Sequence, residues 1–158
     1  MSKEKSKLKE FWRFVKYWLI AGSAALIEFG VETFMKNVCK LDGEYWWISY
    51  TVGLILSVIW NFTINRKYTF KSANNVPIAM LKVAAYYVVF TPLSLFFGDW
   101  LVTKQGWNGD IVTIINILIN GITEFLYQRF FVFGKSIDTN ELAKKEESKE
   151  SEHEQKEE

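Results

Sequence analysis

IAMLKVAAYYVVFTPLSLFFGDWLV, residues 78–102, is a run whose only charges, Lys82 and Asp99, sit toward its two ends. About 20 consecutive apolar residues make a helix that covers the ~30 Å hydrocarbon layer of a bilayer. The run therefore reads as a membrane-crossing helix rather than as the core of a soluble domain. Three more stretches have the same character: Val15 to Met35, Tyr45 to Ile64 and Asp110 to Tyr127. Short connections join them, so consecutive helices are expected to be antiparallel neighbours. The fold expected is all-α, a polytopic membrane protein with four transmembrane helices as two parallel-repeat helical hairpins.

The chain of 158 residues is 49% hydrophobic and 17% aromatic, with 7 Trp and 13 Phe. Its mean hydropathy is nevertheless close to zero, because charged ends dilute the apolar body. Lys and Arg outnumber Asp and Glu by 15 to 9 over residues 1–135, and the balance reverses to 4 against 9 over residues 136–158. This divides the chain into a basic membrane domain, residues 1–135, and an acidic cytoplasmic tail, residues 136–158. The tail has almost no apolar residue after Leu142 and cannot bury enough surface to offset its ordering entropy, so it is expected to be disordered or a frayed helix.

Cys39 is the only cysteine and His153 the only histidine, which leaves no disulfide, CxxC pair or zinc cluster. No Ser/His/Asp set or Gly-rich phosphate loop is present either. Neither a metal, a cofactor nor an enzymatic activity is expected, and no nucleic-acid partner.

Orientation follows from the basic residues. Lys3, Lys5, Lys7, Lys9, Arg13 and Lys16 precede or open the first stretch, and Arg66, Lys67 and Lys71 lie between the second and third. The other two connections hold only Lys36, Lys40 and Lys104. A multi-pass protein of the cell membrane with both termini in the cytoplasm is expected. Trp12, Trp18 and Trp60 would then fall near the inner interface and Trp46, Trp47, Trp100 and Trp107 near the outer one, as lipid anchors. Small residues at 21–25 resemble a signal-peptidase site, but Leu26, Ile27, Phe29, Val31 and Phe34 carry the apolar run on to spanning length.

Two segments repeat. NFTINRKYTF, residues 61–70, closes the second stretch, and EFLYQRFFVF, residues 124–133, closes the fourth, 63 residues later. Phe62/Phe125, Arg66/Arg129 and Phe70/Phe133 are identical pairs, and Asn65/Gln128 and Tyr68/Phe131 are similar ones. Parallel duplications of this kind occur in transporters. Each segment sets an arginine beside an amide and aromatic rings. A guanidinium is a planar fork of donors that fits phosphate oxygens, which makes each segment a candidate cradle for a lipid phosphate. The alternative is a pair of snorkelling arginines that only fix topology. Within the membrane segments lie Glu28, Glu32, Asn61, Asp99, Asn116, Asn120 and Glu124, with an interfacial place open for Glu32 and Asp99. A charge at mid-membrane costs ~2.5–3.5 kcal/mol or more, so such groups belong in the bundle interior or a cavity. Asn116, Asn120 and Glu124 recur every four residues, a polar stripe suited either to interhelical hydrogen bonds or to a substrate.

At these residues the chain resembles the GtrA-like family of four-helix membrane proteins, over about residues 16–133. KYWLIAGSAALIEF is similar to that family's opening, with Lys16, Gly22 and Glu28 at matching positions. SVIWNFTINRKYTF and NGITEFLYQRFFVF are similar to the endings of its second and fourth helices. Ala21 stands where a glycine is usual, and Lys16 where an arginine is common. The resemblance implies translocation of a polyprenyl-phosphate-linked sugar across the cytoplasmic membrane, for glycosylation of a surface polymer such as teichoic acid. The residues expected to meet lipid phosphate or sugar are Lys16, Glu28, Asn61, Asn65, Arg66, Lys82, Asn116, Asn120, Glu124 and Arg129. Expected partners are the lipid-linked sugar, membrane lipids, membrane glycosyltransferases and further copies of the chain. Two other readings stay open: a proton-coupled small-molecule exporter working through Glu28, and a non-transporting scaffold for a glycosyltransferase.

Overall fold

The computed structural model describes residues 3–40 and 46–157, and every regular element among them is helical. Helices α1 (Lys3–Asn37), α2 (Trp46–Ile64), α3 (Val76–Asp99), α4 (Gly109–Tyr127) and α5 (Glu141–Glu157) follow in chain order. The many β-branched residues would weaken such helices in water. In lipid, a segment that satisfies its own backbone is the only open-chain solution. Asn75 starts α3, its side chain accepting the Ile78 N–H at 3.2 Å, with a proline in the first turn where its missing N–H costs nothing.

The chain forms two compact units, Met1–Lys71 with Asn140–Glu158, and Ser72–Thr139. In the first, Arg13 meets Thr69, Ser23 meets Trp60 and Glu28 meets Ser57, so the partners run in opposite chain order and α1 and α2 are antiparallel. Gly53 is what lets them approach: a Cβ there would stand 2.9 Å from the Glu28 carbonyl oxygen. In the second unit α3 and α4 are antiparallel by the same test, Lys82 meeting Phe131, Tyr86 meeting Asn120, and Gly98 lying against Asn116.

The surface is that of a protein solvated by lipid. Leu26, Phe29, Leu81, Val88 and Phe96 expose 69–77% of their area, whereas Ser49, Asn65, Ser72, Gln128 and Glu124 are buried. That inversion is the opposite of a water-soluble domain. Among the described residues three helices are long and apolar enough to cross a membrane, Ser6–Asn37, Val76–Lys104 and Ile111–Val132, where four were expected. The missing one is α2. It is a 19-residue helix, and the side chains of residues 46, 47 and 50 lie outside the described residues. The protein is thus a helical, polytopic membrane protein.

The tail is helical from Glu141 to Glu157, where disorder or a frayed helix was expected. Glu, Lys, Gln and Ala are good helix formers, and Asn140 caps the first turn by accepting the Ala143 N–H at 3.1 Å. Asn140 also ties α5 to its own unit, donating its backbone N–H to the Lys71 carbonyl at 2.9 Å and its side-chain amide to the Lys67 carbonyl at 2.9 Å. The side chains of Trp46, Trp47 and His153 lie outside the described residues.

Candidate functional site

The ten-residue repeat recurs as structure. At the end of α2, Asn65–Thr69 forms a π-helical turn closed by the Phe70 N–H on the Asn65 carbonyl at 2.9 Å. At the end of α4, Gln128–Val132 forms the same turn, closed by the Phe133 N–H on the Gln128 carbonyl at 2.9 Å. Such one-turn π segments hold an extra residue per turn and concentrate at functional sites. The matching aromatics Phe62 and Phe125, and Phe70 and Phe133, are all buried.

The polar pairs match as well. Asn65 donates its amide to Asn61 Oδ1 at 2.8 Å, and Gln128 donates its amide to Glu124 Oε1 at 2.9 Å, each across one helical turn. Thr69 extends the first set by donating to Asn65 Oδ1 at 2.8 Å. Asn65 is bonded through both its nitrogen and its oxygen, whereas Gln128 is bonded through its nitrogen and leaves Oε1 buried without a partner, which costs about 1–3 kcal/mol. These pairs therefore fix where each turn opens, and so where Arg66 and Arg129 emerge. Both arginines are half-buried on their turns, and Arg129 lies over the Phe130 ring at 5.4 Å.

Each turn also takes a cation from the helix packed against it. Arg13, 5% exposed and paired with Glu10, donates Nε to the Thr69 carbonyl at 3.3 Å. Lys82 donates Nζ to the Phe131 carbonyl at 3.1 Å. The last carbonyls of a helix carry negative partial charge and lack intrahelical donors, so cations settle there.

Away from the turns, α4 presents Asn116, Asn120, Glu124 and Gln128 along one face toward α3. The buried Glu124 accepts the Tyr87 hydroxyl at 2.8 Å on one oxygen and Gln128 on the other. Tyr86 donates to Asn120 Oδ1 at 3.2 Å and shares a 2.7 Å hydrogen bond with Thr123. Beyond Tyr87 this seam widens into an open recess of about 310 Å³, lined from α3 by Tyr87, Phe90 and Ser94 among others, and from α4 by Thr113, Asn116 and Asn120.

The family model for the GtrA/DPMS transmembrane domain matches residues 16–133. The chain belongs to this family. Comparison with curated proteins and with solved structures finds no match. Membership ties the chain to the translocation of polyprenyl-phosphate sugars or to glycosylation in general.

Within this GtrA/DPMS domain the expected residues separate into groups. Asn61, Asn65 and Arg66 come together at the first π turn. Lys82, Glu124 and Arg129 gather at the second, with Asn116 and Asn120 further along the same seam. Glu28 stands apart, half-buried and accepting the Ser57 hydroxyl at 3.0 Å, and Lys16 is exposed on α1. Arg13, Tyr86, Tyr87 and Gln128 were not singled out as contact residues from the sequence. Two adjacent tyrosines in mid-span, outside either interfacial belt, were the available signal for a polar seam on α3. Among the described residues no group of His, Cys, Asp or Glu is arranged to hold a metal ion.

Proposed function

We propose that the protein is a non-catalytic translocase for a polyprenyl-phosphate-linked sugar in the cell membrane. It crosses the membrane four times, α2 included, as two parallel-repeat hairpins with both termini cytoplasmic. The lipid phosphate is received by Arg66 and Arg129, and the sugar moves along the α3–α4 seam to supply a membrane glycosyltransferase acting on a surface polymer such as teichoic acid.

The observation that carries this reading is the buried amide pair and the arginine that recur on two of the three π turns among the described residues; the third, Trp100–Lys104, has neither. Topology alone asks only for positive charge near the membrane surface, which a flexible lysine supplies equally well. It gives no reason to build the same turn twice, with matched hydrogen bonds at 2.8 and 2.9 Å behind each arginine. A forked contact to phosphate does require a guanidinium held in a fixed direction. The exporter reading has less support, because Glu28 is engaged by Ser57 and its backbone is pressed against Gly53.

The test is translocation of a fluorescent polyprenyl-phosphate sugar in liposomes reconstituted with the purified chain. Transfer above that of protein-free liposomes, abolished in Arg66→Ala, supports a translocase. Surface glycosylation that depends on the chain, with no transfer in liposomes, would favour the scaffold reading instead.

A further inference from the structure

The recess between α3 and α4 has a chemistry distinct from the arginine ends. Its lining comes from positions 87, 90, 91 and 94 on α3 and 113, 116, 117 and 120 on α4, each set one helical face. None of these residues is charged, yet six of the eight carry a hydroxyl or an amide. Tyr87 donates to Glu124, Ser94 and Thr113 donate to carbonyls of their own helix, and Asn120 Oδ1 accepts from Tyr86, so the hydroxyls keep acceptor capacity, and Asn116 its amide, at an opening where hydrocarbon offers no partner. The face is therefore built to meet something polar and neutral. Phe90 supplies an apolar platform held flat by stacking on Tyr86, with ring centres 5.3 Å apart and planes 14° from parallel.

We infer that the recess is a transit site for the neutral glycosyl group of the lipid-linked sugar, a ring of C–H faces and hydroxyl edges. This rests on the translocase reading above. Hydroxyls meet the Asn116 and Asn120 amides and the Ser94 and Thr113 hydroxyls, while a C–H face lies on Phe90. The recess, about 310 Å³ and open along one side, has room for a sugar ring. Phosphate does not belong inside, since no cation lines the recess and the Glu124 carboxyl lies one turn from Asn120. It stays at the open side with the prenyl chain. Asn120 and Asn116 are nine and thirteen residues from Arg129, or ~13–20 Å along the helix at 1.5 Å per residue. The sugar therefore reaches the recess after the lipid has moved inward from the arginine end.

The experiment uses the full chain in liposomes with Cys39 changed to serine and one new cysteine at the recess, Asn116→Cys or, in a second preparation, Thr113→Cys. Alkylation by N-ethylmaleimide is timed with polyprenyl-phosphate hexose, polyprenyl-phosphate N-acetylhexosamine or unglycosylated polyprenyl phosphate, and translocation of each lipid by the unaltered chain is measured in parallel. For whichever sugar lipid is translocated, alkylation is expected to slow at least fivefold at one or both cysteines, and less than twofold with polyprenyl phosphate. Equal slowing by both lipids, or none, alongside intact translocation overturns the transit site and leaves the translocase reading standing. If neither sugar lipid is translocated, the translocase reading falls and the transit site with it.

Discussion

Gly53→Ala places a methyl carbon 2.9 Å from the Glu28 carbonyl oxygen, with the Glu28 Cγ at 3.5 Å. Even a favourable C–H···O contact keeps its carbon and oxygen about 3.3–3.6 Å apart, so α1 and α2 must separate by roughly half an ångström. The atom in the way is backbone and cannot swing aside. Overpacking of this kind costs about 1–3 kcal/mol. The same separation stretches the 3.0 Å Ser57–Glu28 hydrogen bond, worth about 0.6 kcal/mol inside a membrane. Alanine returns some 0.5–1 kcal/mol as a better helix former than glycine, leaving a net loss of roughly 1–2 kcal/mol. Reversible unfolding of the purified chain in mixed micelles, followed by tryptophan fluorescence, measures it. Gly22→Ala is the control, since nothing lies within 4 Å of its added methyl. If Gly53→Ala proves as stable as Gly22→Ala, the close approach of α1 to α2 is wrong. Gly98→Ala makes a contrast, because its methyl meets only the Asn116 side-chain amide, at 3.0 Å, and the Val112 methyl at 3.6 Å. That amide can rotate away, so stability should hold while translocation slows through the displaced recess wall.

Reporter fusions after Phe70 and after Phe133 are both expected to read cytoplasmic, and an external reading at either would end the parallel-hairpin arrangement. Arg66→Lys and Arg129→Lys keep the charge that sets orientation, so abundance should be normal while glycosylation of the surface polymer falls, most at Arg66. Full activity in both would make the arginines snorkelling anchors. Removing residues 141–158 should leave activity intact and cost under about 1 kcal/mol, because α5 is held by Asn140 and by a Lys71–Glu146 pair whose carboxylate is largely exposed. A loss of activity at normal abundance would point to the tail as a docking segment for a cytoplasmic partner.

The helical, membrane-embedded character was legible because it is written in long apolar runs, which no other open-chain structure in lipid accommodates. The repeat was legible only in part. Phe62, Arg66 and Phe70 recur as identities at Phe125, Arg129 and Phe133, but the most constrained feature, an amide reaching back one turn, is carried by Asn61–Asn65 in one copy and Glu124–Gln128 in the other. That contact needs a donor and an acceptor four residues apart, not particular residue types, so comparing letters understates it. Arg13 was hidden differently. It reads as one of several basic residues at the start of the chain, and only the folded π turn gives its guanidinium a buried carbonyl to bind. The tail was expected to be disordered or a frayed helix because low hydrophobicity governs packing, while its Glu, Lys, Gln and Ala favour the helix that runs over Glu141–Glu157.

The 63-residue offset extends past the motif and explains why the two hairpins are not equivalent. Ser23, Gly53, Ser57 and Trp60 in the first correspond to Tyr86, Asn116, Asn120 and Thr123 in the second. The contacts correspond too: Trp60 donates to Ser23 at 3.0 Å, and Thr123 shares a hydrogen bond with Tyr86 at 2.7 Å. In the first hairpin the small residues Ser23, Gly53 and Ser57 let the backbones close, and the seam is filled by the helices themselves. In the second, larger polar side chains stand at the equivalent places, the helices are held apart around Asn116, and amides and hydroxyls are left facing an opening. Between the two segments this exchange of small for large residues turns a packing seam into a polar recess without altering either π turn. On the translocase reading, the arginine ends, common to both copies, would take the phosphate common to all such lipids, and the recess, which belongs to one copy, would be where selectivity for the sugar arises.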